Sequence, residues 1–372
     1  MDPALHQTIA FILLLVVGLS LKWRIKDAKE LNGIKTVILT VALPATIFLA
    51  LLKIELSGSL MILPFLGFGA NVILYFASRF VLNHLDRTIS TIKKRTFLLL
   101  LPSFAPGLSC FPFVIEYLGD DALANAAIID IGNKFFILIV LYLIAVQWFQ
   151  SLHSNNSRNS GSRERIRLLL SSLVKEPINI VIVLALIFLI FGYNLDKLPL
   201  FLQQFLSQTH SLTTGLILLF IGVAFNIRGT NLAGIFGRLF LRSGIAFLLS
   251  AIALFIGKPE IINLALLIVI FPQSSCSFWP LAHMSSIEMM EGKDKAGIST
   301  FDIQLGLNII ACSLPLSSLI ILGVCSTGHY FIDPVHCIIA AVSMLAAGFL
   351  LRYSREIFET RFEGGLVEIP EK

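Results

Sequence analysis

Two short runs carry the residues most able to do chemistry. PSFAPGLSCFP at 102–112 and PQSSCSFWP at 272–280 place prolines, small hydroxyl residues and a cysteine inside stretches apolar enough to span a bilayer. Each proline removes a backbone donor and its ring crowds the carbonyl one turn earlier, so no regular helix runs through Pro102, Pro106 and Gly107. Unpaired backbone at membrane depth is tolerated only where protein or a watery cavity supplies partners. Both runs therefore predict two half-helices meeting at a cavity. The half-helix after each break should present N–H groups and a positive dipole end, which suits an anionic group. The candidate solute-binding residues are Ala105, Pro106, Gly107 and Ser109 at the first break and Pro272, Gln273, Ser274, Ser275, Cys276 and Ser277 at the second. The alternative is that these small polar residues only cap broken helices or let helices approach closely.

A second set is ionisable. Asp130 and Lys134 lie one turn apart on one helical face, with Asn133 beside them, inside an otherwise apolar span. Intramembrane charge is costly and points to function by default, so Asp130 is either a proton carrier or half of a static pair that braces its helix. Asp302 has no cation one turn away and is either a proton site or an interfacial residue. Asn133, Gln304 and Asn308 suit hydrogen bonds between helices. Arg238 and Arg242 are expected to snorkel to the cytoplasmic face. The seven histidines have no metal-ligand spacing, and no nucleotide loop, nucleophile elbow or metalloprotease helix is present. No cofactor, metal or catalytic residue is expected, and the chain does not read as an enzyme.

These residues need spans to hold them. At 56% hydrophobic and 14% charged residues, with mean hydropathy +0.87, the composition excludes a soluble domain and predicts an all-α membrane protein. Apolar stretches of helical rather than barrel length recur along the chain and divide it into eleven spans. The reading is a first five-helix unit over 1–149, a cytoplasmic linker over 150–176, a second unit over 177–323, an extra span over 324–352 and a cytoplasmic tail over 353–372. Spans 4 (96–119) and 9 (261–284) contain the breaks; span 7 is read as 212–225 after a possible interfacial helix, and span 10 as 297–322. Pro44 should kink span 2. With the N-terminus outside and the C-terminus cytoplasmic, alternate loops collect 24 of the 28 Lys and Arg residues on one side. The five cysteines read as free thiols, Cys325 and Cys337 being the two that a disulfide would join.

The halves resemble one another. Pro102 aligns with Pro272, Phe111-Pro112 with Trp279-Pro280, and ANAAIIDI at 124–131 with AGISTFDI at 296–303. Five spans per half make the repeat inverted, and paired broken spans point to a transporter's substrate site. The run LSLKWRIKDAKELNGIKTVILTVALPATIFLAL, the segment SFAPGLSCFPFVIEYLGDDALANAAIIDIGN and KEPINIVIVLALIF together resemble the auxin efflux carrier (PIN-like) family over about residues 11–322. That resemblance implies two inverted five-helix repeats, with helices 1, 2, 6 and 7 as a dimerising scaffold. Helices 3 to 5 and 8 to 10 would form a moving unit whose helices 4 and 9 cross at the solute. It also implies export of organic anions. Where that family typically has Asn at the crossovers, Ala105 and Cys276 stand here, so both amide donors are missing. The expected function is a secondary transporter moving a small organic anion or amphipathic solute by alternating access. The partners are the solute, the lipid bilayer and a second copy of the chain, and no nucleic acid. The alternatives are a ligand-binding sensor or scaffold and a sodium symporter resembling the bile acid family.

Overall fold

The computed structural model describes residues 3–25, 27–53, 61–84, 89–152, 177–224, 232–291 and 299–363, and among these the chain is helical with no strand. Among the described residues seven segments are long and apolar enough to cross a membrane: Lys29–Leu51, Leu63–His84, Asp120–Leu152, Leu200–Ala224, Leu232–Gly257, Ile303–Ser326 and Pro334–Arg352. Ile9–Leu21, Pro177–Ile190 and Ile262–Gln273 are shorter apolar helices. Most of the linker, Arg163, Arg165 and Arg167 included, and the end of the tail lie outside the described residues.

In chain order, α1 (Pro3–Leu21) precedes α2 (Ala28–Val37), which passes through a π turn (Ile38–Ala42) into α3 (Leu43–Leu51). Pro44 sits at the start of α3 and cannot donate to Thr40, and the chain takes a widened turn there. Then follow α4 (Leu63–His84), α5 (Thr91–Leu100), the single turn α6 (Pro106–Ser109) and α7 (Phe111–Leu118). Gly119, at φ +85°, a region that favours glycine, turns the chain into α8 (Asp120–Phe135). A second π turn (Phe136–Val140) leads to α9 (Leu141–Leu152). After the linker come α10 (Pro177–Ile190), α11 (Leu200–Ala224), α12 (Leu232–Gly257) and α13 (Ile262–Ile270). The described chain closes with α14 (Trp279–Glu291), α15 (Ile303–Ser326) and α16 (Pro334–Glu363).

Several boundaries differ from expectation, each for a local reason. Span 7 is one helix from Leu200, with no separate interfacial piece. Its polar stretch tolerates the helix because hydroxyls fold back on their own turns: Thr209 donates to the Phe205 carbonyl (2.8 Å) and Ser211 to that of Ser207 (3.0 Å). Span 10 starts at Ile303 because Asp302 caps it, accepting from the Leu305 N–H at 2.9 Å. Span 9 runs on to Glu291, and the last helix continues to Glu363, into what reads as tail.

The helices pack as two groups that also touch each other, chiefly where α3 lies on α8. α1 lies along α11, where Gly18 and Gly222 bring the backbones together, and α3 packs on both α10 and α11, with Thr46 and Thr213 hydroxyls 2.8 Å apart. The second group pairs α4 with α8, α5 with α15, α9 with α14, and α12 with α4 and α13. α16 lies against α12 along a seam that includes Gly237, Gly244 and Gly348. Large apolar side chains such as Leu13, Val16, Phe76, Leu319 and Val342 point outward, as a lipid-facing surface requires.

Candidate solute site at the crossing of two broken spans

The first broken span stops as a helix at Leu100, runs irregularly to Ala105, makes the single turn α6, and hinges again at Cys110 before α7. Each restart has a proline at its first or second position, where the missing donor costs nothing. The second span leaves α13 through a 3-10 turn (Phe271–Gln273), is non-helical over 274–278, and resumes at Trp279 with Pro280 next. The two irregular segments lie against each other. Ala105 N–H donates to the Ser275 carbonyl (2.8 Å), Ser275 N–H to Ser109 Oγ (2.9 Å) and Ser277 N–H to Ser103 Oγ (2.9 Å). Cys276 N–H donates to Ser313 Oγ of α15 (3.1 Å). Hydroxyls of the chain thus occupy the amides of Ser275, Cys276 and Ser277, just before the half-helix that starts at Trp279.

Buried polar side chains brace the same segments from behind. Asn133 both donates to the Phe104 carbonyl (3.0 Å) and accepts from its N–H (3.3 Å). Asn71 of α4 donates to the Pro102 carbonyl (2.6 Å) and to Asn133 Oδ1 (2.9 Å), and Gln273 donates to the Ser243 carbonyl (3.1 Å). Arg242 does not snorkel. It is 2% exposed, and its guanidinium donates to the carbonyls of Leu101 (2.7 Å), Ser103 (3.1 Å) and Ser274 (2.7 Å). Interior carbonyls freed by the breaks suit a fork of N–H donors.

In front of the crossing is a cavity of about 510 Å³. Of the candidate residues it is lined by Ala105, Pro106, Gly107, Ser275, Cys276 and Ser277, together with Asp130, Asn133 and Lys134. Ser109, Pro272, Gln273 and Ser274 are buried in the crossing itself, and Asp302 is apart, at the start of α15. Most of the remaining wall is apolar, including Phe104, Ile137, Ile178, Phe220, Phe278 and Trp279. Asp130 and Lys134 pair at 3.2 Å; Asp130 also accepts from Asn133 (2.6 Å), and Lys134 donates to Asn179 of α10 (3.2 Å). Lys35 lines the cavity with its ammonium 4.4 Å over the Phe278 ring and forms no ion pair among the described residues. The sequence reading missed Lys35, which it counted as loop charge, and Arg242. The signal for Arg242 was available: an arginine in the apolar run around GRLFLRSGIAFLL is intramembrane by position. All five cysteines are free and buried, so Cys325 and Cys337 are not bridged.

No protein-family model matches the chain. Over 220 residues, 58% of this chain and 67% of the other, it is 24% identical to a protein of Methanocaldococcus jannaschii described as an uncharacterized transporter. The long apolar helices and this similarity make the chain a helical integral membrane protein, consistent with a membrane transporter.

Proposed function

We propose that the protein is a secondary transporter of the auxin efflux carrier type that moves a small organic anion or amphipathic solute by alternating access. The observation that carries this reading is the meeting of two broken spans, backbone to backbone, at the wall of a cavity with apolar sides and a few charged groups. In this reading the chain has eleven spans: two inverted five-helix halves plus α16. Asn71 and Arg242 support the inversion, because each comes from the third span of its half and each donates to carbonyls of a break. The mutual packing of α1 on α11 and of α3 on α10 and α11 lends support to a scaffold made of these four helices, through which the reading places dimerisation. The N-terminus lies outside and the C-terminus in the cytoplasm, as the loop charges favour.

With the crossing amides taken by hydroxyls, the solute's negative charge falls to side chains. Asp130 and Lys134 compensate each other, which leaves Lys35 as the group to meet it. The experiment is uptake of radiolabelled mono- and dicarboxylates, and of their amides, into proteoliposomes. Saturable flux of an anion is expected. Solute binding without flux would favour the sensor or scaffold, a reading to which the pairing of the Ser275, Cys276 and Ser277 amides lends support. Flux that requires a sodium gradient would favour the bile-acid-type symporter.

A further inference from the structure

Arg242 holds both breaks at once. Two of its three acceptors, the Leu101 and Ser103 carbonyls, belong to the first break and the third, that of Ser274, to the second. No carboxylate pairs with it: the ion pairs among the described residues are Lys53 with Asp120 and Lys134 with Asp130. A cation in apolar surroundings persists only beside an opposite charge or a dense set of dipoles. Here the dipoles are carbonyls that the interrupted helices cannot pair. Two more acceptors adjoin the same segments and lack partners. Asn71 Oδ1 and Gln273 Oε1 are fully buried and unbonded, although the Asn71 amide reaches Pro102 and Gln273 precedes Ser274.

Carbonyls of unwound membrane helices are the ligands from which carriers build cation sites. A pocket of such composition has a negative potential that a positive charge must fill. We propose that Arg242 is a resident cation: its guanidinium occupies the cation site that the two carbonyl-rich breaks create, and no inorganic ion binds there. A free ion enters and leaves; a tethered one does neither, so the crossing stays joined and its charge stays constant whichever way the cavity faces. Arginine suits the place better than lysine because its planar fork reaches three separated oxygens and is weakly hydrated. The Phe104 ring lies 5.4 Å from Cζ and is also part of the cavity wall, which Arg242 does not line. The inference rests on the crossing and not on what the cavity carries.

The test is thermal unfolding of the purified full chain in detergent at constant ionic strength, in sodium, potassium or choline chloride, with or without millimolar guanidinium chloride. The wild type should unfold at one Tm in all three salts. Arg242→Ala should unfold at a lower Tm and regain part of the loss in guanidinium but not in choline. A wild-type Tm raised selectively by sodium overturns the proposal, as does a folded Arg242→Ala protein indifferent to guanidinium. Should that variant not fold, Arg242→Lys and Arg242→Gln decide. The lysine, charge without the fork, is expected to be the more stable of the two; a glutamine variant equally or more stable overturns the proposal.

Discussion

The partners of Asp130 and Lys134 argue for bracing. Besides each other they engage Asn133, which holds the Phe104 backbone, and Asn179 on α10, so the pair links the first break to a neighbouring helix. Removing one member of a buried ion pair strands the other charge, at a cost of about 3–5 kcal/mol, whereas removing both is often close to neutral. Asp130→Asn and Lys134→Gln should each lower the Tm clearly, and the double variant should recover most of the loss. A double variant as unstable as the sum of the two would show that the residues act separately. If Asp130 does carry protons, Asp130→Asn abolishes any pH dependence of flux. The hydroxyls make a sharper case: Ser103→Ala leaves the buried Ser277 N–H unpaired, at a cost of about 1–3 kcal/mol, and unfolding measurements read that loss directly. Lys35→Gln should weaken binding of a carboxylate without changing that of its amide, as titration calorimetry would report. The Asp130–Lys134 pair was legible in the sequence because both members share one helix turn. The depth of Arg242 was legible from the apolar run around it, but its acceptors were not, because they lie 141, 139 and 32 residues away and are backbone atoms, which leave no trace in side-chain patterns.

At the scale of elements, the breaks were legible and the helix contacts were not. Proline acts on its own turn, so Pro102, Pro106, Pro272 and Pro280 mark the interruptions wherever the rest of the chain goes. The polar run at 207–211 misled in the other direction, because serine and threonine that bond to the preceding turn look like a loop and behave as helix. The helix that carries Asp130, Asn133 and Lys134 lies closely against α4. A methyl group on Gly132 would fall onto the Pro64 carbonyl, and one on Gly67 onto that of Ile129. Both obstacles are backbone and cannot rotate away. Gly132→Ala should therefore force α8 from α4, costing about 1–3 kcal/mol or more, and it should disturb Asp130, Asn133 and Lys134, which ride on the same helix. Gly69→Ala, on α4 with open space around it, is the control that should leave the Tm nearly unchanged.

For the whole molecule, alternating access requires the two packing groups to move against each other, and the ion pair between Lys53 and Asp120 spans their boundary. Lys53 directly follows α3, whereas Asp120 opens α8 and so belongs to the group that carries the crossing. The pair is partly exposed, so its own contribution to stability is small, about 0–1 kcal/mol, and cysteines can replace it without unfolding the protein. The native thiols are all buried, so a thiol-specific cross-linker should find the two new cysteines first. Joining Lys53→Cys to Asp120→Cys with a short cleavable linker should arrest flux, and cleaving the linker should restore it. Lys53→Cys alone, treated with the same linker, is the control that should leave flux intact. If the Lys53–Asp120 link leaves flux unchanged while the link is shown to be complete, the groups do not slide at that boundary. The moving unit would then have to be smaller than α4 to α9 and α12 to α15 together, centred on the broken spans alone.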